Sequence, residues 1–435
     1  MPAFSAPDAT TPSADNAIPA SDSTPNPISA PISDADRYSR QVLFAPIGHA
    51  GQQLLARAHV AIVGVGATGA ATASLLARAG VGRLTLIDRD FVEPSNLQRQ
   101  MLFDEDDARA ALPKAEAARR HLARINSSVH IDAHITDLVP HNAPDLLTAD
   151  IVLDCTDNFE TRYLINDPCV RAHRPWIYAA AVGAYAATMN ILPRPLTPAT
   201  QPGAPHLASE MWESEAVNPG APSSTTASLS SKVGSHDAVG LQDAYPTTAP
   251  PLLTTHYPLL TASACLACIF PSAPSGNVDT CDTAGILSTA VNLAASLQVT
   301  EALKFLTRQP ERMRRTLLSF DLWQNTRSEI NTSTPRADCE VCGQRIFRAL
   351  SGDQRPHITL CGRNSVQIHQ HHHPLNLAEL ESRLQPLGQV RANGLLLRFT
   401  YDPYTLTVFP DGRALIQGTT DPGLARSLYA RFIGS

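Results

Sequence analysis

The chain has 435 residues, 43% of them hydrophobic and 17% charged, which is enough for one large folded domain and a smaller one. Its formal net charge of −6 argues against a surface built mainly to bind nucleic acid, and no early basic segment leads into an apolar run, so no secretory signal is predicted. The longest apolar-leaning stretch, residues 284–306, is interrupted by polar side chains and predicts a buried amphipathic helix, not a membrane span.

Two segments have a composition typical of disorder. Residues 1–34 and 196–258 are rich in Ser, Pro, Thr and Ala and show no hydrophobic periodicity. Such sequence cannot bury enough apolar surface to offset its ordering entropy. We therefore predict a disordered N-terminal tail and a disordered insertion.

The remaining sequence up to about residue 345 alternates strand and helix patterns. We predict strands at 58–63, 83–87, 129–135, 150–155 and 188–192, and helices at 70–79 and 113–125. After the insertion come the helix at 284–306 and a strand at 317–320. This alternation predicts an α/β domain over residues 35–345, with a doubly wound, Rossmann-like, mostly parallel sheet.

Residues 346–435 predict a separate, small α+β module. The expected strands lie at 366–369, 395–400, 405–409 and 414–417, and the expected helices at 375–387 and 422–432. Asp421 has the side chain of a helix N-cap. The module contains no set of acid, base and nucleophile from which an activity follows.

A glycine-rich turn follows the first predicted strand. Gly64, Gly66 and Gly69 would let the backbone approach a phosphate at the N-terminus of the next helix, where N–H groups are free. Asp88 ends the second strand nineteen residues after Gly69, where a carboxylate can bind ribose hydroxyls. Taken alone, these residues would suggest NAD.

Residues further along the chain favour ATP over NAD. Asn96 and Arg99 follow the second strand, Lys114 opens a helix, and Asp157 lies at the carboxyl end of another strand. A triphosphate needs several cations and a Mg²⁺ ion held by carboxylate, whereas hydride transfer needs neither. The sequence therefore predicts a site for ATP and Mg²⁺.

With these motifs the sequence resembles the ThiF/MoeB/HesA family of adenylyltransferases, which is kin to the catalytic domains of ubiquitin-activating enzymes. The resemblance covers about residues 36–345 without the insertion. It rests on residues 37–41, the glycine turn, 96–100, Lys114, 154–158 and two Cys-x-x-Cys pairs, Cys265 with Cys268 and Cys339 with Cys342. Ala67 and Thr68 stand where many relatives have Gly-Leu, but the three glycines are kept.

The resemblance implies roles for individual residues. Asp88 would bind the ATP ribose, and Asp157 would hold Mg²⁺. Asn96, Arg99 and Lys114 would bind the phosphates.

The resemblance also implies a reaction and two partners. The C-terminal carboxylate of a ubiquitin-like sulfur-carrier protein ending in Gly-Gly would attack the α-phosphate of ATP, giving an acyl-adenylate and pyrophosphate. Arg40 would reach the active site of the partner subunit in a homodimer, as an arginine finger. The carrier would belong to thiamine thiazole synthesis, molybdopterin synthesis or another sulfur-transfer pathway.

Four of the eight cysteines form two Cys-x-x-Cys pairs, Cys265 with Cys268 and Cys339 with Cys342. In a chain without an export signal, this spacing favours metal binding over disulfides. Two such pairs supply the four thiolates of a closed, structural zinc site. We therefore expect one zinc ion and a cytoplasmic location.

The other cysteines do not cluster. Cys281 lies just before the predicted helix at 284–306, where the helix dipole would lower the pKa of its thiol. Relatives place a cysteine here that can form a covalent bond to the carrier, and a plain buried or loop cysteine is the alternative. We interpret Cys155, Cys169 and Cys361 as packing residues.

Further alternatives stay open. His369 and residues 371–373 form a histidine-rich tract, either an exposed polar turn or a metal-binding segment. Two functions compete with carrier adenylation. The acidic charge balance disfavours a related tRNA-modifying dehydratase, and the cations and Asp157 disfavour a Rossmann NAD-binding protein.

Overall fold

The computed structural model describes residues 32–194, 262–272, 284–352, 359–360, 365–368 and 374–434. Almost all of the predicted tail, the whole predicted insertion, Cys281, Cys361 and the histidine-rich tract lie outside these ranges. Among the described residues, no helix is both long enough and apolar enough to cross a membrane.

An eight-stranded sheet forms the centre of the larger part of the chain. Its strands are β1 (His59–Val63), β2 (Arg83–Ile87), β3 (His130–His134), β4 (Ile151–Asp154), β5 (Trp176–Val182), β6 (Tyr185–Ile191), β7 (Thr316–Asp321) and β8 (Thr326–Asn331). They lie in the order β3-β2-β1-β4-β5-β6-β7-β8, with parallel pairing from β3 to β5 and antiparallel pairing from β5 to β8. The predicted mostly parallel sheet is confirmed, and it continues into three antiparallel strands.

Helices cover both faces of this sheet. They are α1 (Asp34–Arg37), α2 (Ser39–Val42), α3 (Gly48–Arg57), α4 (Ala67–Ala79), α5 (Glu105–Arg109), α6 (Lys114–Ile125), α7 (Ala143–Leu146), α8 (Phe159–Arg171), α9 (Leu266–Ile269), α10 (Ser288–Leu306) and α11 (Arg348–Ser351). Alternate side chains of β1 enter two separate cores. Val60 and Ile62 join the core of α4, α6 and α10, whereas Ala61 and Val63 join that of α7 and α8. The predicted doubly wound arrangement is therefore confirmed.

The sequence of β1 and α4 positions the glycine turn between them. β1 is a continuous apolar strand because helices cover both of its faces. α4 starts directly after Gly66 and ends at Gly80, which has a φ of +80° and donates its N–H to the carbonyls of Leu76 and Ala77. The turn from β1 into α4 therefore lies at the carboxyl end of the strand.

β1 and β4 are neighbours in the sheet, but the chain leaves them toward opposite faces, to α4 and α8. Such a topological switch point opens a crevice at the carboxyl ends of the strands, where ligands of open α/β sheets bind. The loops after β1, β2 and β4 carry the glycine turn, Asp88 and Asp157 to this crevice.

The long helix α10 starts later than its sequence pattern predicts, at Ser288 and not at Ala284. Gly285 has a φ of +71°, and Ile286 forms a parallel bridge with Gly183, so this connection is held in a non-helical conformation.

The predicted position of Cys281 just before a helix start is therefore wrong, although Cys281 itself lies outside the described residues. Two strands of this large sheet, β5 and β8, are also missing from the sequence prediction. The alanine-rich sequence of β5 resembles a helix former, and β8 is exposed at every position and lacks hydrophobic alternation.

The C-terminal residues form a second, six-stranded antiparallel sheet. Its strands are β9 (Thr359–Leu360), β10 (Ser365–Ile368), β11 (Gln389–Ala392), β12 (Leu397–Tyr401), β13 (Tyr404–Val408) and β14 (Ala414–Gln417), in the order β11-β12-β13-β14-β10-β9. α12 (Leu377–Leu384) and α13 (Pro422–Phe432) pack into one hydrophobic core with this sheet. Asp421 caps α13 by accepting a hydrogen bond from the Gly423 N–H at 2.8 Å, as predicted.

Candidate active site

The three glycines of the turn after β1 differ in how strictly the surrounding structure requires a glycine. Gly64 has a φ of +84°, and a Cβ on it would lie 2.8 Å from the Cys155 carbonyl oxygen. A Cβ on Gly69 would lie 1.9 Å from the Gly64 oxygen, so the turn closes only with glycine there. At Gly66 the nearest atom to a Cβ would be Gln100 Nε2, 3.9 Å away. Internal packing therefore does not require a glycine at Gly66, and its open side leaves room for a phosphate.

Asp88 lies against the glycine turn, directly after β2. Its carboxylate accepts hydrogen bonds from the Val65 N–H at 2.6 Å and from the Asp90 N–H at 2.7 Å. Burial raises the pKa of Asp88, while the positive charge of Lys114 acts in the opposite direction. Because each carboxylate oxygen has two lone pairs, Asp88 can still accept hydrogen bonds from ribose hydroxyls.

Lys114 starts α6 and is buried, with 3% of its surface exposed. Its Nζ lies 3.1 Å from Asp90 Oδ2, and its backbone N–H donates to the Asp90 carbonyl at 2.8 Å. A buried ammonium is costly without a partner, so Asp90 belongs to this site. Sequence reasoning missed Asp90. Its spacing of two residues from Asp88 in an extended segment is the signal that could have found it.

Arg89 stands between these two aspartates and binds a third carboxylate. Its Nη1 donates to Asp137 Oδ2 at 3.0 Å, and its Nε lies 3.9 Å from Asp90 Oδ1. Burial lowers the pKa of Arg89, but Asp137, Asp90 and Asp157 together raise it above its usual value. The chain's own cations thus partly neutralise the carboxylates at this end of the sheet.

The loop after β2 carries Asn96, Arg99 and Gln100. Asn96 is buried, and its Oδ1 accepts a hydrogen bond from the Glu93 N–H at 3.1 Å, which closes a 3₁₀ turn. Arg99 is partly exposed, and its Nη1 donates to a backbone carbonyl of the same loop at 2.8 Å. Gln100 is buried beside the glycine turn, and its Oε1 has no hydrogen-bond partner among the described residues.

Asp154, the last residue of β4, is fully buried and organises the loop that carries Asp157. Its Oδ1 accepts hydrogen bonds from the Thr156 N–H at 2.9 Å and hydroxyl at 2.7 Å, and its Oδ2 lies 3.3 Å from Arg162 Nε. Arg162 Nη2 also donates to the Thr156 carbonyl at 2.7 Å, and its guanidinium lies over the Tyr178 ring at 4.9 Å. Sequence reasoning missed Arg162, because its partners come from different elements.

Asp157 is exposed at the carboxyl end of the sheet. Its Oδ1 accepts a hydrogen bond from Asn158 Nδ2 at 3.3 Å. Within the described ranges, no hydrogen bond or ion pair joins Asp157 to Lys114 or Arg99. Hydrogen bonds and an ion pair thus connect the glycine turn, Asp88, Asp90 and Lys114. Arg99 and Asp157 lie on loops at the same end of the sheet and, among the described residues, form hydrogen bonds only within their own loops.

Arg40 lies on the short helix α2 and is exposed. Its side chain makes no hydrogen bond or ion pair with any other residue that the structure describes. Two large apolar side chains beside it, Leu43 and Phe44, are 71% and 61% exposed. The N-terminal helices therefore present a cation next to an exposed apolar surface.

The four paired cysteines converge on one point. Sγ–Sγ distances are 3.9 Å from Cys265 to Cys268, 3.6 Å from Cys265 to Cys339 and 3.4 Å from Cys268 to Cys342. A tetrahedral zinc with four thiolates has sulfur atoms about 3.8 Å apart, given its Zn–S bonds. The donor set and its spacing fit a metal ion, and they leave no position for a reacting ligand.

A second group with possible metal ligands does not fit a metal. His121 Nδ1 lies 2.6 Å from Arg124 Nη2, which can only donate a hydrogen bond. The Nε2–H of His121 therefore donates to Asp107 Oδ2, at 2.6 Å. Both ring nitrogens are occupied, so this group is a hydrogen-bond network at the surface.

Comparisons with known proteins show the family of the chain. The ThiF family profile matches residues 38–341. A Bacillus subtilis (strain 168) protein, the sulfur carrier protein ThiS adenylyltransferase, is 38% identical over 403 residues, which are 92% of this chain and 99% of the relative. The Sus scrofa adenylyltransferase and sulfurtransferase MOCS3 is 32% identical over 74% of this chain and 56% of its own length.

The solved structure of Escherichia coli MccB shares the fold. It superposes with a TM-score of 0.50 at 20% sequence identity, over 72% of this chain and 74% of MccB.

Proposed function

Because the chain belongs to the ThiF family, we propose that it is an ATP-dependent adenylyltransferase that activates the C-terminal glycine carboxylate of a ubiquitin-like sulfur-carrier protein. A carboxylate oxygen of the carrier attacks the α-phosphorus of ATP, and the bond from that phosphorus to the β-phosphate oxygen breaks. The products are an acyl-adenylate and pyrophosphate. The observation that carries this proposal is the junction of the glycine turn, Asp88 and the buried Lys114–Asp90 pair at one crevice.

The nucleotide would bind across the switch point. Free N–H groups at the start of α4, beside Gly66, face the phosphates, and the Asp88 carboxylate accepts hydrogen bonds from the ribose hydroxyls. Lys114 supplies a positive charge for the phosphates. Carboxylate and phosphate repel each other, so the protein acts mainly by positioning the reactants and neutralising charge.

Arg99 and Asn96 complete the phosphate site in this proposal. Within the described part of the chain, the Arg99 guanidinium hydrogen-bonds only to its own loop, so it can turn toward a phosphate. Among the residues that the structure describes, Asn96 Nδ2 has one long hydrogen bond of 3.5 Å, to Ser95 Oγ, so its amide has a donor to spare. Mg²⁺ would be held by Asp157, whose exposed carboxylate fits an oxygen-seeking cation. When bound, Mg²⁺ neutralises charge on the triphosphate.

The active enzyme would be a homodimer in which Arg40 reaches the partner subunit's site. The exposed position of Arg40, without a partner among the described residues, and the exposed Leu43 and Phe44 beside it support this arrangement. The second copy would cover the apolar side chains and bring the guanidinium to developing phosphate charge.

The four-cysteine cluster would hold a structural zinc ion, since four thiolates close the coordination sphere. Cys281 is the proposed candidate for a covalent bond to the carrier, and we expect it to be dispensable for adenylation. The carrier would serve thiamine or molybdopterin synthesis, in the cytoplasm.

The direct test is pyrophosphate exchange into ATP with small carrier proteins that end in Gly-Gly. We expect exchange to require the intact carrier, and a carrier lacking the two glycines is the matched control. AMP formation that depends on tRNA and not on any carrier would instead identify the dehydratase alternative. Binding of NAD without binding of ATP would exclude an adenylyltransferase altogether.

A further inference from the structure

Among the described residues, Asn393 and Arg413 of the C-terminal module donate hydrogen bonds to the larger part of the chain, and an apolar cluster joins the two. Asn393 Nδ2 donates to the carbonyls of Ala110 at 3.1 Å and Ala111 at 3.2 Å. Arg413 Nη2 donates to the Ile135 carbonyl at 2.9 Å. The module therefore binds the backbone of two loops of the large domain, one before α6 and one after β3.

The apolar cluster is built around Phe91, which is 3% exposed. It packs against Leu396, Phe409 and Leu415 of the module. The Arg398 guanidinium lies over the Phe91 ring, 5.4 Å from its centre. Through Phe91, the loop after β2 therefore packs against the module.

Each contacted backbone segment adjoins a residue of the proposed nucleotide site. Phe91 follows Asp90 and forms an antiparallel bridge with Pro113, which precedes Lys114. Ile135 follows His134, whose carbonyl accepts a hydrogen bond from the Asp88 N–H at 3.1 Å. These backbone segments therefore adjoin Asp88 and the Lys114–Asp90 pair of the proposed nucleotide site.

We infer that the C-terminal module is a positioning element for the nucleotide site, holding the loops that fix Asp88 and the Lys114–Asp90 pair without touching the nucleotide itself. This inference rests on the proposed function. Asn393 and Arg413 are the positioning residues.

The loop before Lys114 needs such support. Ala111 has a φ of +47°, a conformation that non-glycine residues adopt only when the surroundings hold them there. Asn393 binds the Ala111 carbonyl, and the Val92 N–H donates to Leu112 on the other side of this loop at 2.8 Å. Loss of the Asn393 contact lets the loop relax and moves the Lys114 ammonium, which weakens phosphate binding.

The sharpest variant is Asn393→Asp. Its retained Oδ1 still accepts the hydrogen bonds from Leu395 N–H and Leu396 N–H that shape the local turn, but the donor to Ala110 and Ala111 is gone. We expect the KM for ATP to rise about five- to tenfold, with kcat within about twofold of wild type. Asn393→Ala, which adds no charge, should shift KM in the same direction.

Asn376→Asp is the matched control. Asn376 caps α12 inside the module through its Oδ1, and an aspartate keeps that cap. The same charge change away from the loops should leave KM unaltered. Amide hydrogen exchange gives a second readout, because only Asn393→Asp should speed exchange in peptides covering residues 88–92 and 110–114.

A second pair of variants, a test variant at Arg413 and a control variant at Arg383, tests the inference independently. Arg413→Lys cannot bind both Asp411 and the Ile135 carbonyl as the guanidinium does, and it should raise the KM for ATP. Arg383→Lys removes an equivalent arginine contact, to the Phe432 carbonyl at 3.0 Å, within the module, and it should not.

The results distinguish failure of the proposed function from failure of the positioning role. If the wild-type protein neither binds ATP nor catalyses pyrophosphate exchange, the proposed function is contradicted. The positioning role alone would be overturned if the wild type is active and the folded variants Asn393→Asp and Arg413→Lys keep its KM for ATP. In that case amide hydrogen exchange near residue 111 would also be unchanged. An equal KM rise in the control variants would also overturn the positioning role, because it would reflect general loosening of the module.

Discussion

Lys114 Nζ and Asp90 Oδ2 lie 3.1 Å apart, and this ion pair holds the buried Lys114 at the start of α6. Lys114→Ala should lower kcat/KM for pyrophosphate exchange at least about 100-fold, because a charge aimed at phosphate is lost. Arg119→Ala on the same helix is the control, since Arg119 pairs with Glu116 at the surface. Near-normal exchange in folded Lys114→Ala would contradict the assigned site.

The Arg40 proposal predicts complementation between subunits. Arg40→Ala and Asp157→Asn homodimers should each be inactive in exchange. Mixed subunits should recover activity in heterodimers, because one composite site keeps both residues. Activity is measured after subunit exchange has been verified with two affinity tags. If verified heterodimers stay inactive, Arg40 acts within its own subunit or not at all.

Metal analysis should find about one zinc per chain. The double change Cys265→Ser and Cys268→Ser should remove the zinc and lower the melting temperature, because two of four thiolates are gone. Cys169→Ser is the control, since Cys169 is buried and lies outside the cluster, and its zinc content should match wild type. A metal-free protein of unchanged melting temperature would leave the four thiolates without a metal role.

Asp167 gives a pH-dependent contribution to stability. Burial raises the pKa of Asp167 from 3.8 to about 6, although its carboxylate accepts hydrogen bonds from the N–H groups of Ala349 and Leu350. Between pH 4 and pH 6 the folded state therefore keeps a proton that the unfolded state releases. This group's contribution to the free energy of unfolding should fall by roughly 3 kcal/mol as the pH rises through that window.

Asp167→Asn removes this titration and keeps an acceptor for the Ala349 N–H. In urea denaturation at pH 4.5, 6.0 and 7.5, the free energy of unfolding of the variant should increase relative to that of the wild type as the pH rises. The exposed Asp145→Asn serves as control and should show no such trend. A constant difference between Asp167→Asn and wild type would mean that Asp167 does not titrate in this range.

Cys281 separates two mechanisms of sulfur loading. We expect Cys281→Ser to keep both pyrophosphate exchange and sulfur transfer to the carrier, because the acyl-adenylate is already activated for attack by an external persulfide. A covalent role would spare exchange but abolish sulfur transfer. Mass spectrometry of trapped enzyme and carrier decides between them. An adduct mapped to Cys281, with sulfur transfer lost in the serine variant, would contradict our expectation.

Local sequence signals predicted the elements that carry the site. β1 is an uninterrupted apolar run before a glycine turn, and α13 has an N-cap aspartate followed by proline. The first and last residues of both elements could therefore be predicted closely. Asp90 and Arg162 could not be recognised in the same way. Lys114 reaches Asp90 because Phe91 pairs with Pro113, and Arg162 is held by β4 and β5. Such roles depend on contacts between segments distant in sequence.

The antiparallel end of the large sheet finishes in β8, whose six residues are all exposed. An outer strand offers unpaired N–H and C=O groups to any other extended chain, including another copy of this one. Arg327 and Glu329 form an ion pair on this strand. A second strand added alongside would have to desolvate or displace these charges, which discourages open-ended stacking of the protein into fibres at high concentration.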